Sequence, residues 1–214
     1  MAFEYCCFIS YPHGQQYVLV PFVQDLVDGL KTEIHAQSRK KIWIDYDFLE
    51  GGDRLDATVG RDLCKSACMI LIYTPLYFDR EHTYCARELQ GMQKLEERRL
   101  ALLNDPGEGL IIPIVLRGEK RFPEALKKKR IFYRFTDIEF NNPEDIIRHK
   151  YSAQIKEIAE YIIDRCETLD EVADKLLSDC HGFNLPTEED AKMFVETVLQ
   201  RKIADVAVPF PVRT

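Results

Sequence analysis

What this chain has little of narrows its function first. No apolar run approaches the ~20 residues that a helix needs to cross a bilayer. "MAFEYCCFIS" has no basic stretch and carries Glu4 early, so it does not read as a signal peptide. Contact with a membrane is therefore expected only through a partner. Glycine-rich phosphate cradles are missing: the first apolar run is followed by "SYPHGQQY" rather than G-x-G-x-x-G, and the chain has no P-loop. The histidines, at 13, 35, 82, 149 and 181, form no H-E-x-x-H or H-x-x-x-H pair, which argues against a zinc hydrolase and predicts no metal site. No G-x-S-x-G elbow is present for serine-hydrolase chemistry. Positive charge is also in deficit, with a formal net charge of -7, so a nucleic-acid partner is not expected.

What is present describes a packed protein. The 214 residues are 46% hydrophobic and 30% charged, enough for one domain of ordinary size with an extension. One segment reverses the overall charge: Arg117, Lys120, Arg121, Lys127, Lys128, Lys129, Arg130 and Arg134 stand against Glu119 and Glu124. Such a cluster is ordinarily a solvated surface, and a phosphate-rich ligand or an acidic partner is the sharper alternative. The seven cysteines (6, 7, 64, 68, 85, 166 and 180) are odd in number, and several lie in apolar runs. They read as small buried hydrophobes in a reducing, cytoplasmic compartment. Cys85 has no general base near it in sequence, which favours packing over nucleophilic chemistry.

Apolar runs of strand length alternate with segments of helical period. "YCCFISY", "KKIWIDYD", "ACMILIYTPLY", "GLIIPIVL" and "IFYRF" predict five strands. Between them, Val18, Phe22, Leu26, Leu30 and Ile34 recur every four residues, and Leu55, Val59 and Leu63 mark a second helix. Leu89, Met92 and Leu95 mark a third, a short piece spans Pro123 to Lys129, and Ile155, Ile158, Ile162 and Cys166 mark a closing helix. Continuous apolar strands between amphipathic helices imply a parallel sheet covered on both faces. The predicted class is therefore α/β, a flavodoxin-like open sandwich with its site at the carboxyl ends of the strands.

The pattern changes after about Cys166, which divides the chain into a domain over 1–166 and a helical extension with a proline-containing tail over 167–214. Val172, Leu176, Leu177 and Cys180 suggest one helix; Thr187 with Asp190 resembles a capping box that opens another. A helix pair is too small to fold well alone, so it should pack on the domain or on a protein partner.

Three local features bear on a site. "EGGDRL" offers glycines before a helix, either an anion cradle or, the favoured reading, a flexible loop with Asp53 as N-cap. His13 follows the first strand as a ligand contact or a plain loop histidine. "TYCAREL" carries Glu88 on a helix, either as a solvated acid balanced by Arg87 or as a working carboxylate.

Together, "FISY" (8–11), "IWIDYDFLEGGDRL" (42–55) and "KSACMILIYTPLYFDREHTYCAREL" (65–89) resemble, in order and spacing, the boxes of the Toll/interleukin-1 receptor (TIR) domain family. The resemblance covers roughly residues 3 to 165 and implies the TIR form of the fold. Some members of that family are adaptors that only self-associate; others cleave NAD between nicotinamide and ribose. In the second group the glutamate of an aromatic–Cys–x–x–Glu motif is catalytic, and it maps onto Glu88. The aromatic, usually tryptophan, maps onto Tyr84, which walls the pocket. The resemblance further implies that Ser10, Tyr11 and His13, with Phe48 and Leu49 of the loop after the second strand, line the pocket, and that Asp45 serves the ribose or orders the loop. The departures are Tyr84 in place of tryptophan, a loop without the Pro-Gly of many receptors, and a late Phe-Trp box reduced to "IFYRF".

The function so implied is an NAD glycohydrolase with NAD as substrate and no cofactor. It would release nicotinamide and ADP-ribose or a cyclic relative, as an assembly-activated immune or defence effector. The alternative is a non-catalytic module that signals by TIR–TIR association.

Overall fold

Five strands, β1 (Tyr5–Ser10), β2 (Lys41–Trp43), β3 (Ser66–Tyr73), β4 (Ile111–Val115) and β5 (Tyr133–Arg134), form one parallel sheet in the order β2-β1-β3-β4-β5. They belong to a computed structural model that describes residues 2–13, 19–44, 55–81, 83–103, 109–128, 130–137, 150–178 and 180–204, the side chains of Leu55 and residues 200–204 excepted. Every residue of β1, β3 and β4 is buried. Successive strand side chains point to opposite faces, so this pattern requires cover on both.

Seven helices occur among the described residues: α1 (Leu19–His35), α2 (Leu55–Cys64), α3 (Tyr84–Leu103), α4 (Glu124–Lys127), α5 (Ser152–Asp170), α6 (Ala173–Leu177) and α7 (Glu188–Ala204). Of these, α1, α2, α3 and α5 pack on the strands and supply that cover. In α1 the buried stripe is Leu19, Phe22, Val23, Leu26, Val27, Leu30 and Ile34. Each such side chain contributes roughly 1.5–3 kcal/mol by leaving water. α1 packs with α5, and α2 with α3, as right-handed crossovers to either side of β1 require. The architecture is α/β and consistent with a flavodoxin-like open sandwich.

Strands β3 and β5 end or begin differently from what their apolar runs suggest. β3 stops at Tyr73, and Thr74 to Tyr77 form a turn closed by Tyr77 N–H donating to Thr74 O at 3.0 Å. Pro75 occupies the second position of that turn, where its fixed φ is preferred. β5 keeps only two residues, and β4 explains why. Val115 O accepts from Phe135 N–H at 3.0 Å, so residues 113 and 115 present their backbone toward β5. Pro113 has no N–H to give there, pairing begins at Tyr133, and Ile131 is left 88% exposed.

The C-terminal segment lies against the sheet-bearing body. α5 runs unbroken across residue 166. Asp170 at its end accepts from Phe3 N–H at 2.7 Å and Lys40 Nζ at 2.6 Å. Thr187 and Asp190 cap α7 reciprocally, each backbone N–H donating to the other's side-chain oxygen at 3.2 Å. Phe194 of α7 reaches Phe78 at a ring separation of 6.3 Å.

The expectation of seven reduced cysteines needs correction. Cys64, at the end of α2, and Cys180 form a disulfide with Cα atoms 5.4 Å apart. A pairing across 116 residues of sequence is created by the return of the C-terminal segment, which no local pattern records. Cys6, Cys7, Cys68, Cys85 and Cys166 are buried and outside the disulfide. Burial pushes the Cys6 and Cys166 thiols up to about 12, and those of Cys7 and Cys68 well above their usual range, so these four are inert packing groups. No described helix is long and apolar enough to cross a membrane.

Candidate functional site

β1 and β3 are neighbours, yet the chain leaves β1 toward β2 and leaves β3 toward β4 on the other side. Such a switch in direction opens a crevice at the carboxyl ends of the two strands, where ligands of open α/β sheets bind. Four segments converge there. Ser10 is the last residue of β1. The Thr74–Tyr77 turn folds the chain after β3 back over the sheet. Gly118, at φ 72, lets the loop after β4 pass the turn, where a Cβ would meet Pro75 Cγ at 2.6 Å. α3 then starts behind Thr83, whose carbonyl accepts from Arg87 N–H at 3.0 Å, and places Glu88 in its second turn.

The centre is a buried chain of oxygens. Ser10 Oγ donates to Glu88 Oε2 at 2.6 Å and lies 2.7 Å from the Tyr77 hydroxyl. Tyr77 is 0% exposed, Ser10 1% and Glu88 8%. Burial holds the Tyr77 phenol well above its usual range, with Cys85 and Glu88 adding to the effect. The solvated-acid reading of Glu88 therefore fails. Arg87, its supposed partner, points elsewhere.

A second cluster forms the rim. Arg87 sends two guanidinium N–H groups to Asp56 of α2, at 3.2 and 2.7 Å, and donates Nε–H to Pro186 O at 2.7 Å. The Tyr84 hydroxyl donates to the same Asp56, and the Arg87 guanidinium lies 5.1 Å over the Tyr84 ring. Arg87, with Tyr84 second, holds the Asp56 carboxyl below its usual range. Burial, with the bond to Asp56 second, raises the Tyr84 phenol. A tyrosine at this position thus gains a tie between α3 and α2.

Of the residues assigned to a site by sequence, the structure joins Ser10 and Glu88 directly. Tyr84 stands one turn before Glu88 with its oxygen engaged by Asp56. Tyr11 and His13 share the exit of β1 with Ser10, and their rings stack at 4.8 Å, Tyr11 buried and His13 exposed. Asp45, Phe48 and Leu49, with the glycines and Asp53 of the following loop, lie outside the described residues. Tyr77 and the Asp56–Arg87 pair were missed. The Thr-Pro step at 74–75 was the available signal that the strand stops before Tyr77.

Among the described residues, no group of three His, Cys, Asp or Glu side chains is placed to hold a metal ion. The arrangement is one buried carboxylate braced by hydroxyls at a strand-end crevice, suited to meeting positive charge that develops on a ligand. No protein-family model matches the chain, and no curated protein matches it.

Proposed function

We propose that the protein is a TIR-family NAD glycohydrolase in which Glu88 is the catalytic carboxylate. One observation carries this reading. Ser10, from "FISY", and Glu88, from "TYCAREL", are 78 residues apart in sequence and meet at 2.6 Å in a buried site. Two boxes of the resemblance thus converge on a single constellation, at the fold's binding edge.

The chemistry suits one carboxylate. Ordinary glycosides need a second carboxyl group to protonate an alkoxide leaving group. The nicotinamide of NAD is a cationic pyridinium, so it leaves with the glycosidic electron pair as a neutral amine. Positive charge then develops on ribose C1′ and the ring oxygen. Glu88 stabilises that charge from a fixed position, and its burial strengthens the interaction. Water adds at C1′ and loses a proton to give ADP-ribose, or an adenine nitrogen attacks instead and closes a ring. In this reading the protein is a defence effector switched on by self-association.

The test is nicotinamide release by the purified full chain, dispersed and under conditions that drive self-association. Glu88→Ala should lower the rate by about 100-fold or more. Release that survives this substitution unchanged sinks the role of Glu88, and an assembled protein that leaves NAD intact sinks the activity.

A further inference from the structure

Ser10 has a single hydroxyl proton and two oxygen neighbours, Glu88 Oε2 at 2.6 Å and the Tyr77 hydroxyl at 2.7 Å. Were that proton turned to Tyr77, the Ser10 lone pairs would face those of the carboxylate at 2.6 Å, which is repulsive. Ser10 therefore donates to Glu88, and the remaining bond can only be Tyr77 donating to Ser10. The order is Tyr77 O–H to Ser10 Oγ, then Ser10 O–H to Glu88 Oε2.

Tyr77 is built to hold this order. Its backbone closes the turn after β3 through Thr74 O. Its ring meets Phe78 edge-on at 5.1 Å, and no part of it reaches solvent. A serine hydroxyl alone rotates among three staggered positions. A fixed phenol behind it leaves one, and hydrogen bonds in a chain polarise each other in the same sense. A carboxylate held this way needs no reorientation when charge develops beside it.

We propose that Tyr77 is a positioning residue of this site, acting on the Glu88 carboxylate through Ser10. The assignment rests on the reading of Glu88 as the catalytic carboxylate. Tyr77 touches no reacting atom, and its influence passes through one serine hydroxyl. Removing that hydroxyl disconnects it.

The experiment is a double-mutant cycle in the full chain. Tyr77→Phe keeps the ring and deletes the hydroxyl, and should lower kcat for NAD cleavage about tenfold with KM unchanged. In a Ser10→Ala background the same substitution should change nothing further. Equal fractional losses in both backgrounds would make Tyr77 a packing residue and overturn the proposal. A second readout needs no activity. In protein labelled with 13C at glutamate Cδ, the Glu88 resonance is assigned by its loss in Glu88→Gln. Tyr77→Phe should shift it when Ser10 is present and leave it in place when Ser10 is alanine; an unmoved resonance with Ser10 present refutes the relay. Should Tyr77→Phe not fold, 3-fluorotyrosine at position 77 keeps the hydroxyl as a stronger donor, and the same dependence on Ser10 decides. If the assembled wild-type protein releases no nicotinamide, the reaction fails while the resonance still judges the relay.

Discussion

Gly60 lies inside α2, where alanine ordinarily stabilises a helix over glycine by about 1 kcal/mol. Here the surroundings reverse the sign. A Cβ at position 60 would stand 3.0 Å from Phe183 O, 3.3 Å from Leu185 N and 3.6 Å from Asn184 Cα. All three belong to the backbone of the segment that crosses α2 and α3, so no rotamer change relieves the contact. That segment is tethered on one side by the Cys64–Cys180 bond and on the other by Arg87 Nε–H donating to Pro186 O. Overpacking against a held backbone costs about 1–3 kcal/mol, and after the helix gain Gly60→Ala should lose about 1 kcal/mol net. Gly91 of α3 supplies the control. Its Cβ would meet Leu63 Cδ2 at 3.1 Å and Leu185 Cδ2 at 3.3 Å, both ends of side chains, which yield more readily than backbone. Gly91→Ala should therefore be neutral or slightly stabilising. Urea denaturation of both variants measures the difference, and amide exchange over residues 183–187 should rise in Gly60→Ala alone. Gly60→Ala at or above wild-type stability, or Gly91→Ala as the worse of the two, would refute the backbone-contact argument.

Two further predictions concern the same ties. Asp56 has its folded pKa lowered by Arg87 and Tyr84, so its contribution is full above the unfolded carboxylate range and fades as pH falls through the folded value. Its side chain is 60% exposed, which screens the pair, so Asp56→Asn should lose about 0.5–1 kcal/mol near neutrality. The two proteins should converge in acid; a gap in unfolding free energy that does not narrow contradicts the assignment. Replacing both Cys64 and Cys180 by serine opens a loop spanning 116 residues of sequence. Loop-closure entropy sets the loss at up to about 5 kcal/mol, readable by denaturation. Thiol titration of unfolded, unreduced wild-type protein should count five free thiols of seven, and a count of seven removes the bond.

Much of the architecture was legible before any tertiary contact was known. The buried runs of β1, β3 and β4 announce a two-sided sheet because parallel strands between helices have no polar face. The four-residue recurrence through Leu26, Leu30 and Ile34 announces α1, and the Thr187–Asp190 box announces α7, since both are local signals. Strand ends were less legible. "ACMILIYTPLY" remains apolar through Tyr77 although the strand ends at Tyr73, because burial continues where the chain turns over the sheet. "IFYRF" was cut to two residues by Pro113, on a neighbouring strand.

For the site, the sequence by itself determined which residues were candidates: Glu88 on its helix, Ser10 at a strand end and an aromatic at position 84. Each was marked by the resemblance of its box to the family pattern, which rests on the order of residues along the chain. Only the tertiary structure decided what they touch. It paired Arg87 with Asp56 instead of Glu88, gave Tyr84 an acceptor on α2, bonded Cys64 to Cys180 and put the Tyr77 hydroxyl behind Ser10. Partners 28 to 116 residues apart in the chain are selected by strand order and helix packing. That selection follows from burying the whole apolar surface at once, so it is written in no single stretch of sequence.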